Sequence, residues 1–319
     1  MAVICNNICR KILNNMPDLI PIKKSHIKYY NNFPLYYISK NGEALLYKNA
    51  DKKLDKDLLE RNQYPQFFIH KEDKVSVVEK LQRVLNIKLA RAISSKGLYA
   101  IKKSLCNIVE EALSGPLGVT LESLPETIEI LFYGVKKNSD LLDALTAINN
   151  KSSKVVEHSV NVLALTAQYC FFKRYSEEQI KTFCLCALLH DFGSSKIDKK
   201  IIETKEKLTD KEYSIYKTHT IKGFREIELY PTFDKSIGIT ALEHHERLDG
   251  SGYPHGIKQI SFEAQLVGLI DSYEALKYQD KTFRKALKPY DALQIIKTDV
   301  VAEKYNKAIF VDLCSCLIK

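Results

Sequence analysis

The apolar positions of this chain follow two different periods. PLYYIS (34–39) and ALLYK (44–48) are short aliphatic and aromatic runs on either side of Asn41-Gly42. That dipeptide readily supplies the positive φ angles of a tight β-hairpin. QFFIH (66–70), just after Pro65, reads as a third strand. From residue 73 the apolar period becomes helical. Val77, Val78, Leu81, Val84, Leu85 and Leu89 form one stripe. Leu98, Ile101, Leu105, Ile108, Val109, Ala112 and Leu113 form a second, stopped by Ser114-Gly115-Pro116. Beyond it the chain reads as helices separated by loops containing glycine or proline, and Thr209 with Glu212 forms a capping-box helix start. The pattern predicts a mainly α protein in three segments: a small α+β module at 1–72, a helical connector at 73–149 and a helical domain at 150–319.

Composition narrows the partners. Of 319 residues, 45% are apolar, enough for a sizeable core, and the net charge of +9 favours anionic ligands. No run reaches the roughly 18 apolar residues of a membrane span, and the first twenty residues lack the layout of a signal peptide. The eight cysteines include the close pairs Cys184/Cys186 and Cys314/Cys316, which bridge poorly, so reduced thiols in a cytoplasmic protein are expected. Cys5 and Cys9 have no second pair to complete a thiolate zinc site.

The histidines carry the chemistry. His158, His190, His219, His244 and His245 each lie in or beside an apolar helical run, and Asp191 and Asp271 accompany them. Neighbours on a helix point about 100° apart, so His244 and His245 cannot share one apolar layer, whereas they can approach one cation from two sides. A helix end leading into an ordinary loop accounts for that pair equally well when it is taken alone. Taken singly, any one of these histidines is more often a core or surface residue than a ligand. The doubled pairs His190-Asp191 and His244-His245, together with Asp271 in an apolar run, shift the balance to a metal centre. Imidazole and carboxylate donors without thiolate suit Fe or Mn, and less specifically Zn or Ni. An aspartate between two cations can bridge them, and paired cations can activate water against a phosphate ester.

HDFG (190–193), His219 followed by Gly223, HHERLDGSGYPHG (244–256) and LIDSYEAL (269–276) stand in the order found in the HD-GYP domain. The chain resembles that subgroup of the HD metal-dependent phosphohydrolases over about residues 150–290. The resemblance implies an all-helical domain behind the small α+β module, holding two or three divalent transition metal ions, Fe or Mn. It implies hydrolysis of cyclic di-GMP to the linear dinucleotide pGpG, and in many relatives on to GMP, by a metal-bridging hydroxide. Carried over, the metal ligands are His158, His190, Asp191, His219, His244, His245 and Asp271, with Asp191 bridging. Asp249, Gly252, Tyr253, Lys281 and Arg284 become ligand-facing candidates, with Asp249 orienting a histidine and Tyr253 either contacting the ligand or packing. No nucleic-acid polymer is implied as a partner. The N-terminal module is expected to serve a homodimer or a signalling partner.

Three departures qualify the resemblance. The lysine that usually follows HDxG is Ser194 here, which points to weak turnover or to a receptor for the nucleotide. Lys196 is the candidate to replace that lysine, with a solvated surface lysine as the alternative. Lys154 stands where three-metal relatives carry a glutamate, which favours two metals. After Asp271, Lys281 and Thr282 replace an arginine and a proline; lysine keeps the charge but loses the bidentate fork. Another cyclic dinucleotide remains open as the substrate.

Overall fold

The computed structural model describes residues 18–22, 27, 30, 32–54, 65–95, 97–114, 120–138, 140–147, 154–278, 282 and 285–318. The chain divides into two compact units, one of residues 1–87 with 114–123 and the other of residues 88–113 with 124–319. The connector foreseen at 73–149 is therefore shared between them.

The first unit is built on a four-stranded antiparallel sheet of order β1-β4-β2-β3. Strands β2 (Leu35–Ile38) and β3 (Ala44–Lys48) are the hairpin read from the sequence, and Gly42 in its loop has φ +85°. Strand β4 (Phe67–His70) pairs with β2 on one side and with β1 (Leu19–Pro21) on the other. Leu35, Phe67, Phe68 and Ile69 are buried, while Leu45 and Leu46 on the edge strand β3 are exposed. Helix α1 (Lys74–Ser94) buries Val77, Val78, Leu81, Leu85 and Leu89, but Val84 of the predicted stripe faces outward.

The second unit is helical. It comprises α2 (Leu98–Ser114), α3 (Leu124–Lys137), α4 (Leu141–Ala147), α5 (Lys154–Phe172), α6 (Glu177–Leu189), α7 (Lys199–Ile202), α8 (Asp210–Lys217), α9 (His219–Ile227), α10 (Lys235–Glu243), α11 (Phe262–Tyr278), α12 (Pro289–Val301) and α13 (Lys307–Leu317). Helix α5 is apolar nearly all round, with Val160, Val162, Leu163, Ala164, Leu165 and Ala167 buried, and it packs against α6 and α11 at the centre. The starts of the helices follow local chemistry. Ser176 and Gln179 form a capping box on α6, as Thr209 and Glu212 do on α8. Among the described residues no helix is long and apolar enough to cross a membrane.

Candidate metal centre

The seven sequence-marked donors come from five places in the fold and meet inside the helical unit. His158 lies early in α5; His190 and Asp191 end α6; His219 opens α9; His244 and His245 end α10; Asp271 sits within α11. Each adjacent pair stands at a helix terminus, where the chain leaves helical geometry and neighbouring side chains can converge. Close backbone packing makes this possible. A Cβ at Gly193, in the 3-10 turn Phe192–Lys196, would lie 1.9 Å from His219 O, so only glycine lets that turn reach α9.

Two groups of donors form, and Asp191 belongs to both. Asp191, His219, His244 and His245 make one; His158, His190 and Asp191 make the other, with the donor atoms of each within 4.8 Å of one another. Asp191 Oδ1 is 3.1 Å from His219 Nε2 and 3.7 Å from His244 Nε2. Asp191 Oδ2 is 3.9 Å from His190 Nε2. Asp271 belongs to neither group but lies between them, its Oδ1 3.0 Å from His158 Nε2 and its Oδ2 3.9 Å from His245 Nδ1.

Hydrogen bonds fix the imidazole tautomers. His190 Nδ1 donates to Ala187 O at 2.7 Å, His219 Nδ1 to Tyr216 O at 2.7 Å, and His244 Nδ1 to Ala241 O at 3.1 Å. Their Nε2 lone pairs then point inward at one another and at carboxylates. The His219 and His244 Nε2 atoms are only 3.4 Å apart, and those of His158 and His190 only 3.2 Å. Facing lone pairs repel, and a cation or a proton at the inward nitrogens removes the conflict. Asp191 Oδ1 is moreover buried without a well-directed hydrogen-bond partner among the described residues. The residues present thus fit divalent metal ions with nitrogen and oxygen preference.

The electrostatics agree. Burial opposes ionisation of Asp191 and Asp271, yet the imidazoles of His219 and His190 hold the first carboxyl, and His158 the second, below the usual range. Burial lowers His190 to about 4 and holds His245 well below the imidazole range, so both rings are neutral donors near pH 7. At His158 burial is outweighed by Glu274 and Asp271, and its pKa is raised.

Glu274 and Glu246 lie inside the quoted motifs but are not among the site residues read from the sequence. Glu274, one turn after Asp271, is hydrogen-bonded to His158 Nδ1. It is the carboxylate that orients an imidazole, a task the sequence assigned to Asp249. Asp249 instead accepts from the N–H and Oγ–H of Ser251, at 2.9 and 2.7 Å, because a carboxylate so placed closes its own turn first. Glu246 accepts backbone N–H groups from His255, Gly256 and Ile257 and so clamps the glycine-rich loop under the site. Its signal was the third letter of HHE.

The remaining candidates fall as follows. A Cβ on Gly252 would lie 2.4 Å from Arg247 N, so the loop folds tightly against the end of the histidine pair. The Tyr253 ring packs 4.6 Å from His245 and 6.1 Å from Tyr213. Ser194 is buried within the 3-10 turn. Lys196 is half-exposed and turned to Glu226 on α9, at 3.2 Å, so it is not grouped with the donors. Lys281 and Arg284 lie outside the described residues.

Comparison with known proteins agrees with this geometry. Residues 144–309 match the family described as HD domain. The chain belongs to the HD domain family. It is 36% identical over 131 residues to cyclic di-GMP phosphodiesterase PdeB of Borreliella burgdorferi, covering 40% of this chain and 34% of that protein. It is 26% identical over 166 residues to 3'3'-cGAMP-specific phosphodiesterase 1 of Vibrio cholerae, covering 51% of this chain and 38% of that protein. The chain thus spans little more than a third of either relative. In fold it is similar to Bd1817, an HDG"Y"P protein from Bdellovibrio bacteriovorus, with a TM-score of 0.62 at 20% identity over 95% of this chain and 100% of that one.

Proposed function

We propose that this chain is a metal-dependent phosphodiesterase that hydrolyses cyclic di-GMP to the linear dinucleotide pGpG. The observation that carries the reading is the position of Asp191 in both donor groups, which would offer two cations, Fe or Mn, a common carboxylate. His158 and His190 would hold one ion; His219, His244 and His245 the other; Asp271 faces both groups. When bound, such ions supply Lewis acidity toward phosphoryl oxygen and acidify water. The protein's own part is to hold both aspartates ionised, keep the His190 and His245 imidazoles neutral, and close one side of the site with the Glu246-clamped loop. Gly252 lets that loop approach, and Tyr253 beside His245 offers an aromatic face to the ligand. Lys281 and Arg284 are proposed to meet its phosphates. The N-terminal module is proposed as a dimer or signalling surface.

A second reading, a cyclic dinucleotide receptor that turns over slowly, is favoured by buried Ser194 and by the pairing of Lys196 with Glu226. No ammonium from this turn joins the donor groups. The sequence similarity to a 3'3'-cGAMP-specific enzyme also keeps the substrate at the level of 3',5'-linked cyclic dinucleotides. One experiment separates these readings. Mn- or Fe-loaded protein is incubated with cyclic di-GMP and, separately, with 3'3'-cGAMP, and the products are resolved by chromatography. Linear products in the wild type and none in Asp191→Ala, which also loses metal, are expected. Tight binding without any linear product would establish the receptor instead.

A further inference from the structure

A buried polar chain runs from the connector helix to the metal centre. Lys102 lies on α2, 59 residues before Asn161 in sequence and outside every motif, and its side chain is almost wholly buried. Its Nζ donates to Asn161 Oδ1 at 3.1 Å. Asn161 Nδ2 donates to Glu274 Oε1 at 2.8 Å. The other oxygen of Glu274 meets His158 Nδ1. The four residues belong to the same helical unit, and all are buried.

Each link constrains the next. An asparagine amide can bond in two orientations related by a flip. An ammonium at one end accepts only the orientation that turns the carbonyl oxygen to Lys102, which leaves the amide nitrogen for Glu274. The Glu274 carboxylate, fixed through Oε1, then presents Oε2 to His158. Nδ1 of that ring is thereby held as the N–H, and Nε2 is left as the donor aimed at Asp271 and His190. The other histidines with an assigned Nδ1 partner need no such help. His190, His219 and His244 are fixed by carbonyls within their own or the preceding helical turn. His158 alone among these four takes its orientation from a distant side chain.

We infer that Lys102 is a positioning residue for one of the two cations. Through Asn161 and Glu274 it sets the orientation of His158, so occupancy of the His158–His190–Asp191 site depends on where α2 sits, whereas the His219–His244–His245 site does not. The geometry makes the two cations unequal. It also gives any displacement of α2 a route to the metal centre without contact with the nucleotide. This inference rests on the metal reading of the site, but not on the identity of the substrate.

Metal binding tests it directly. Metal-free wild type, Lys102→Met and Asn161→Leu are titrated with Mn2+ by calorimetry, with the metal per chain counted by elemental analysis. Electron paramagnetic resonance then distinguishes a coupled Mn pair from an isolated ion. Wild type is expected to take two ions and give the coupled signal. Each variant is expected to bind one ion as wild type does, and the second about 10–100-fold more weakly, with an isolated-ion spectrum at limiting metal. A merely structural role would weaken both ions alike, and that result overturns the inference, as does wild-type affinity at both. If Lys102→Met fails to fold, Asn161→Leu carries the same comparison, and Glu274→Gln supplies a third. Two ions bound in wild type with unchanged variants refutes the positioning role alone. No ion bound in wild type refutes the metal centre itself.

Discussion

At the scale of single residues, the centre is organised by which imidazole nitrogen keeps its proton. Backbone carbonyls hold Nδ1–H on His190, His219 and His244, and a glutamate does so on His158. The inward nitrogens are then left to metal or to protons. At His158 and His219 burial disfavours the charged ring, but Glu274 with Asp271, and Asp191, outweigh it and raise both pKa values. In metal-free protein near pH 7 these rings therefore carry more proton than free imidazole does. An incoming cation must displace those protons, so binding releases them, and affinity falls as pH falls. Calorimetry of Mn2+ binding in two buffers of different ionisation enthalpy measures the release directly. Equal heats in the two buffers would contradict the assignment.

At the scale of elements, the site depends on how closely helix ends approach. The turn carrying Gly193 touches the first residue of α9, and Gly193 N is 3.2 Å from the position a Cβ would take on Gly223. Gly193→Ala would drive a methyl group into the carbonyl of His219, where backbone rather than a flexible side chain must yield. The expected result is loss of metal at the His219 group, with destabilisation of about 1–3 kcal/mol from overpacking. Metal counting and thermal unfolding check both; a variant with full metal content and unchanged unfolding would count against this packing. The elements also show what a sequence hides. Strand β1 is three residues long and ends at Pro21, too short to show alternation, and its identity comes from pairing Leu19 with His70 on β4. The hairpin β2–β3 was readable because its loop carries its own chemistry in Asn41-Gly42.

At the scale of the whole molecule, the donors tie together α5, α6, α9, α10 and α11, which are distant in sequence and adjacent only when folded. A cation bound there favours the folded chain over the unfolded one. At a free metal concentration a hundred times Kd, the linkage adds about 2.7 kcal/mol per site. For a domain of this size that is roughly 5–10 °C in Tm. Chelation followed by scanning calorimetry should show a fall of this order, reversed by Mn2+ or Fe2+. No change in Tm on full metal removal would mean that no ion binds the folded chain in preference to the unfolded one, against the metal reading of the site.

The sequence by itself marked the candidate donors and determined the helical class. Doubled pairs such as His190-Asp191 and His244-His245 announce themselves, since two adjacent polar groups beside apolar helical runs have few uses other than ligation. It also determined the strands whose turns carry conformational demands. Only the tertiary structure decided that Glu274 orients His158, that Asp249 closes its own turn, and that Lys102 reaches the centre through Asn161. Lys102 and Asn161 lie outside every motif, and even within the motifs nothing local tells which partner Glu274 or Asp249 will take. Their roles follow from distances across elements, and packing alone sets those.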